Sequence, residues 1–325
     1  MQKNNLTKKI LLVGCGNIGS RHLQALVKIP YETEIDIIEP NIDAQNLAKN
    51  RLNESQFEES LFRIKWNTSI DHSRNYDLVI LATPSKNRFE LIKTLINDGN
   101  RRFLVEKMVC QSKQEYEFIL SLINSTNSKA WINASRRYYD SYQKIKNQLE
   151  HDSQISIHVN TGNMGLGSNA IHFLDLFSWF TENDNFTLNG DFLDNEIQEN
   201  KRGIEYKEFS GMIVGKSPKN STITLNFSQK KDLPLYVSFF QNDKSFIIDE
   251  TNEIIFDHNS EERLEFKIEF QSTLTTKIVK DIFEHDESLL PTLKELKIAH
   301  YELFRIFNSH IKKMTNTEVE ICPIT

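Results

Sequence analysis

The chain has 325 residues, 38% of them hydrophobic and 26% charged, with a formal charge of −6. That length exceeds what one core usually holds and points to two domains. The acidic balance and the lack of a long basic run argue against nucleic acid as a partner. No stretch approaches the roughly 20 apolar residues of a transmembrane helix, and residues 1–9 lack the apolar core of a signal peptide. Cys15, Cys110 and Cys322 are odd in number and far apart, which suits a reducing compartment and offers no metal-ligand spacing. The expectation is a cytoplasmic protein without metal, membrane or nucleic-acid partner.

Short apolar runs alternate with helical patterns through the first third. Residues 9–13 (KILLV) read as a strand buried on both faces. A helical pattern follows, with Leu23, Leu26 and Val27 on one side, and stops at Pro30. Further strands are predicted at 35–39, 77–82, 102–106 and 130–133, with helices near 89–97 and 113–123. This alternation predicts a parallel, doubly wound sheet.

The turn after the first strand reads Gly14-Cys15-Gly16-Asn17-Ile18-Gly19, and Glu39 ends the second predicted strand. A G-x-G-x-x-G run with a strand before it, a helix after it and an acid some 20 residues on is the dinucleotide fingerprint of the Rossmann fold. Gly14 permits the tight turn, Gly16 lets a pyrophosphate approach, and Gly19 lets helix and strand pack. Asn17 and Ile18 complete the turn, and the helix start offers its N–H groups to phosphate. Glu39 can accept from ribose hydroxyls and would repel a 2′-phosphate, which favours NAD over NADP. The alternative is a glycine turn that holds nothing. Thr83-Pro84 sits at the carboxyl end of a central strand, where such sheets bind ligands; an ordinary strand-to-helix turn with Pro at the helix start is the other reading.

From about residue 153 the pattern changes. Residues 155–161, 221–227, 235–239 and 264–268 alternate in polarity, with shorter candidates at 246–249 and 253–256, which predicts a mainly antiparallel sheet. Residues 169–180 read as a helix, and 291–313 as a long one with Leu293, Leu296, Ala299, Leu303, Ile306 and Phe307 on one face. The expected architecture is an N-terminal Rossmann domain over residues 1–133 and a C-terminal α+β domain, with an open-faced sheet, over 134–325.

The chain resembles the Gfo/Idh/MocA oxidoreductases over nearly its full length. The likeness rests on GCGNIGSRHLQAL (14–26), DLVILATPSKNRFELIKTLINDG (77–99), FLVEKM (103–108), the segment Ser135-Arg136-Arg137-Tyr138, NAIHFLDLFSWF (169–180) and the closing CPIT (322–325). The resemblance implies NAD chemistry on sugars, inositols or nucleotide sugars. It implies that Lys107 lies beside the nicotinamide, that His172 exchanges a proton with the substrate hydroxyl, and that Asp175 orients the substrate or the histidine. Asn87 and Glu106 join Thr83 and Pro84 on the cofactor, and Arg137, Tyr138, Asn163 and Asn169 line the substrate side. Such proteins often pair subunits through the second-domain sheet, so a homo-oligomer, dimer or tetramer, is expected. Oxidising an alcohol removes a hydride from carbon and a proton from oxygen; histidine suits the proton, and a lysine can stabilise the oxygen's developing charge.

Three positions depart from the family's pattern. Met108 replaces the proline of Glu-Lys-Pro, and because a non-proline cis bond costs about 2.5–4 kcal/mol a trans bond is expected there. Ser168 stands where an acid four residues before the histidine is common, and Asn87-Arg88 replace a histidine. The expected function is an NAD-dependent dehydrogenase of a sugar CH–OH group, with a nucleotide sugar of surface polysaccharide synthesis as substrate. A non-catalytic NAD(H)-binding sensor, and NAD-assisted elimination or hydrolysis at a glycosidic bond, are the alternatives.

Overall fold

A computed structural model describes residues 7–162, 164–229 and 233–325. The chain divides into two units. The first takes the chain up to Cys110, then Glu117–Asn133 and Glu269–Leu293; the second takes Gln111–Tyr116, Ala134–Ile268 and Lys294–Thr325. A single boundary at 133/134 therefore misses the return of 269–293 to the first unit.

Up to residue 133 the elements are β1 (Lys8–Val13), α1 (Gly19–Leu26), β2 (Thr33–Ile38), α2 (Ile42–Asn53), β3 (Phe62–Asn67), β4 (Leu78–Leu81), α3 (Arg88–Asn97), β5 (Arg102–Val105), α4 (Lys113–Ser125) and β6 (Lys129–Ile132). The strands form one sheet in the order β3-β2-β1-β4-β5-β6, and each neighbouring pair is parallel. This is the doubly wound order, with its switch point between β1 and β4. Ile10, Leu11, Leu12 and all of β4 have no exposed surface, as strands covered on both faces should. The sequence pattern missed α2 and β3. Buried residues in α2 are only Gln45 and Ala48, and β3 alternates between exposed and half-buried residues at the sheet edge, so neither carries a strong apolar signal.

The later elements are α5 (Asp140–Gln148), β7 (Ser156–Thr161), α6 (Leu166–Thr181), β8 (Thr187–Leu193), β9 (Gln198–Asn200), β10 (Gly203–Glu208), β11 (Gly211–Lys216), β12 (Thr222–Phe227), β13 (Tyr236–Gln241), β14 (Lys244–Asp249), β15 (Ile254–Asp257), β16 (Glu262–Glu265), α7 (Gln271–His285) and α8 (Lys297–Thr315). Eight strands form a sheet ordered β16-β15-β14-β13-β7-β12-β11-β8, and β9 and β10 form a separate ribbon. Only the β7–β12 pair of the large sheet is parallel. Ile157, Val159, Ile223, Leu225, Val237 and Phe239 are buried and alternate with more exposed neighbours, as period-2 patterning requires. Helix α6 packs on β12 and α8, and α8 on β8. Phe209 stacks on Phe307 with centroids 4.2 Å apart.

Two boundaries differ from the sequence pattern. The final helix starts at Lys297 instead of Pro291, because the backbone of 291–293 is engaged with β6: Pro291 O accepts from Ile132 N at 2.8 Å and Thr292 bridges Trp131. The strand expected at 264–268 lies at Glu262–Glu265. Helix α7 was not foreseen; it packs on α1 in the first unit. No helix among the described residues is long and apolar enough to cross a membrane.

Candidate functional site

The turn leaving β1 shows what each glycine is for. Gly14 has φ +84°, and a Cβ there would meet the Ala82 carbonyl at 3.0 Å. A Cβ on Gly19 would lie 2.0 Å from Gly14 O, yet one on Gly16 would meet nothing within 4 Å. The first and third glycines thus answer to the protein's own packing. The second leaves open space above backbone, which is what a ligand in close approach would need. Asn17 is exposed and Ile18 half-buried. Arg51 of α2 donates to Asn17 O at 2.9 Å and Ser20 Oγ at 2.6 Å, bringing positive charge to the start of α1, where the helix already favours anions.

Glu39 lies one residue past β2 and is 8% exposed. Its Oε2 accepts from Cys15 N at 2.7 Å and its Oε1 from Asn41 N at 3.0 Å. The carboxylate is thereby fixed against the glycine turn, with lone pairs remaining for ribose hydroxyls. Burial, with Glu39 nearby, pushes the Cys15 thiol up to about 12, so this cysteine stays a protonated packing group.

Past β4 and β5 a second set of groups gathers at the strands' carboxyl ends. Pro84 and Asn87 are exposed, and Asn87 enters α3 at φ 64°. Thr83 Oγ1 is buried without a hydrogen-bond partner. Arg88, fully buried, donates to the carbonyls of Thr83, Glu106 and Met108, tying the two turns together. The Lys107–Met108 peptide bond is cis, which corrects the trans expectation. Local preference favours trans, but tertiary contacts set this turn: Met108 is fully buried and Arg88 grips the carbonyls on both sides of Lys107. Lys107 itself is 7% exposed.

Glu106 Oε1 accepts from His22 Nε2 at 3.0 Å and from Asn133 Nδ2 at 2.5 Å. His22 Nδ1 lies 2.8 Å from Thr275 Oγ1, and Asn133 Nδ2 also donates to Gln271 Oε1 at 2.9 Å. Burial alone would raise the Glu106 carboxyl, but His22, Asn133 and Lys107 together hold it down, to about 2. Sequence reasoning placed Glu106 in the cofactor set and missed His22 and Asn133, which bond it, and Thr275 and Gln271, which bond those two in turn. His22 stood in plain view, three residues after Gly19 on an apolar helix, but Gln271 and Thr275 lie some 250 residues away.

In the second unit, α6 carries His172, which is half-buried, and Asp175, which has no exposed surface. Arg137 grips Asp175 bidentately, Nε at 3.2 Å and Nη2 at 2.7 Å, and reaches Glu295 with Nη1 at 3.0 Å. The expected substrate and catalytic groups Arg137 and Asp175 therefore meet each other. Burial pushes the Asp175 carboxyl up, against the pull of Arg137 and with Glu295 adding repulsion. Tyr138 is 5% exposed. Asn169 donates to the carbonyls of Met164 and Gly165. Asn163 lies outside the described residues.

Sequence reasoning also missed Glu208. Its carboxylate caps α6, accepting from Gly167 N, from Ser168 N at 3.2 Å and from Ser168 Oγ at 2.6 Å. The acid absent at position 168 is thus supplied to the same helical turn from β10. A signal existed in Gly165 and Gly167, where a Cβ would come within 2.3 and 2.8 Å of that carboxylate.

The comparisons agree with this geometry. A family model described as "Oxidoreductase family, NAD-binding Rossmann fold" (GFO_IDH_MocA) matches residues 8–134. Over that span the first domain is similar to the NAD-binding domain of the Gfo/Idh/MocA oxidoreductases. NAD is the cofactor that family's Rossmann domain binds, and Gly16, Glu39 and Thr83 fit it here. No curated protein matches the sequence. Solved structures share the fold over almost the whole chain. An oxidoreductase from Agrobacterium radiobacter, in complex with NAD+, L-tartaric acid and magnesium, has a TM-score of 0.71 at 10% identity, covering 92% of this chain and 95% of its own. UDP-N-acetylglucosamine 3-dehydrogenase from Acidithiobacillus ferrooxidans has a TM-score of 0.65 at 12% identity, covering 94% and 96%. A myo-inositol dehydrogenase from Corynebacterium glutamicum has a TM-score of 0.64 at 17% identity, covering 92% and 95%.

Proposed function

We propose that the chain is an NAD-dependent dehydrogenase acting on a CH–OH group of a sugar, with a nucleotide sugar of surface polysaccharide synthesis as the substrate class. The observation that carries this reading is Lys107, a cation 7% exposed at the carboxyl end of β5, in the domain similar to the NAD-binding domain of the Gfo/Idh/MocA oxidoreductases. An ammonium group so placed can stabilise an alkoxide-like oxygen. Bound NAD supplies the hydride acceptor. His172 takes the hydroxyl proton, Lys107 stabilises the charge that develops on oxygen, and Asp175 acts through Arg137 to hold the substrate side of α6 in place. Tyr138, Asn163 and Asn169 are the remaining substrate-side groups. Neighbours described as acting on UDP-N-acetylglucosamine and myo-inositol favour a polyhydroxylated substrate. A cytoplasmic dimer or tetramer is the proposed working form, to be read by light scattering.

The test is absorbance at 340 nm with NAD+ and a panel of nucleotide sugars, free sugars and inositols. At least one should turn over, and Lys107→Met and His172→Asn should each lower kcat/KM about 100-fold or more with NAD+ affinity kept. A protein that binds NAD+ by calorimetry yet turns over nothing on the panel overturns the dehydrogenase reading.

A further inference from the structure

Buried polar atoms nearly always find a partner, and the exceptions call for a cause. Asn133 is 4% exposed, and its Oδ1 is buried with no hydrogen-bond partner. It lies one residue past β6, abreast of the ends of its neighbours: Asn133 N donates to Val105 O, and Glu106 N to Leu81 O. Thr83 Oγ1, the orphan past β4, stands at the same edge of the sheet.

The orientation of the Asn133 amide is fixed. Its nitrogen donates to Glu106 Oε1 and Gln271 Oε1; a flipped amide would set oxygen against oxygen twice. The two acceptors are fixed in turn, Glu106 by His22 and Gln271 by its own Nε2, which donates to Thr275 Oγ1 at 2.8 Å. The network therefore presents one carbonyl oxygen, preorganised and unused. An unpaired buried carbonyl is unfavourable by about 1–3 kcal/mol, a cost that a ligand donor would remove.

Which donor follows from position. β6 is three strands from β1, so at about 4.8 Å per strand its end lies roughly 14 Å from the glycine turn. That is beyond a diphosphate held at the turn and toward the far end of an extended dinucleotide, whose base carries a carboxamide NH2. We propose that Asn133 is the carboxamide-reading residue of the cofactor site, its Oδ1 accepting a hydrogen bond from the nicotinamide carboxamide and so fixing which face of the ring is turned to substrate. The oxygen is out of contact with water in the free protein, so the ligand reaches it through a side-chain shift at this edge, a change common on binding. The proposal rests on NAD occupying the turn and is independent of the sugar.

The test is calorimetry of the full chain and of Asn133→Ala and Asn133→Leu, each with NAD+, with 3-acetylpyridine adenine dinucleotide (a methyl ketone in place of the amide) and with ADP-ribose, which lacks the base. The variants should bind NAD+ about tenfold more weakly while binding the acetylpyridine analogue and ADP-ribose as the unaltered chain does. Retained ADP-ribose binding shows that the variant is folded. Equal weakening of all three ligands assigns Asn133 to structure and overturns the proposal. Weakening of both dinucleotides with ADP-ribose unaffected assigns it to the ring and not to the amide, and also overturns it, as does no weakening at all. An unaltered chain that binds none of the three would overturn the cofactor site as a whole.

Discussion

Glu106 in the first unit and Asp175 in the second are both carboxylates shut away from water, yet their surroundings drive their acidity in opposite directions. Glu106 is held down to about 2 by His22, Asn133 and Lys107. Asp175 is pushed up by burial although Arg137 grips it, and Arg137 is shared with Glu295. The first network ends in an unused acceptor, Asn133 Oδ1; the pair in the second closes on itself. The network beside the sheet's carboxyl ends thus leaves one buried acceptor unused, whereas the carboxylate under α6 is matched by Arg137 within the protein.

The sharpest way to break this contrast is to remove one partner of the closed pair. Asp175→Ala leaves the buried Arg137 with Glu295 as its one carboxylate among the described residues and should lower the second unit's stability by about 3 kcal/mol in urea unfolding, with NAD+ affinity unchanged. Weaker NAD+ binding at intact stability would place Asp175 among the groups that serve the ligand instead. Next in size is acid stability. Because the folded Glu106 carboxyl sits at about 2, below the ordinary 4.3, it stabilises the fold above the ordinary value, and that stability is lost as pH falls through about 4 toward 2. Glu106→Gln should remove about 3 kcal/mol at pH 7 and flatten the acid limb. Asp175 carries the opposite sign: with its folded value raised, its contribution is full below the ordinary carboxylate range and lost as pH rises, so Asp175→Asn should flatten that slope without touching the acid limb. The smallest effect concerns Arg51, which meets the turn at Asn17 and Ser20. Arg51→Ala should weaken NAD+ about threefold at low ionic strength and less in high salt, measured by calorimetry at two salt concentrations.

The sheet's first, fourth and fifth strands and the glycine turn were legible because their signals are local: a continuous apolar run, then glycines at fixed spacing before a helix. The same holds for α6, whose apolar residues recur at helical spacing. What could not be read is what the chain assembles across distance. Arg51 reaches Asn17 from 34 residues away, Glu208 caps α6 from 40, and α7 returns to pack on α1. No spacing rule announces such pairs. The cis bond at Met108 was misread for a related reason: local cost favoured trans, and the contacts that decide otherwise come from Arg88, 20 residues earlier.

The central claim is that Gly16 is kept for a ligand and not for the protein. Its φ lies outside the left-handed region and a Cβ there meets nothing, so Gly16→Val should leave unfolding within about 0.5 kcal/mol of the unaltered chain while NAD+ binding, measured by calorimetry, falls at least about tenfold. A stable Gly16→Val protein that binds NAD+ as tightly as before would contradict the account.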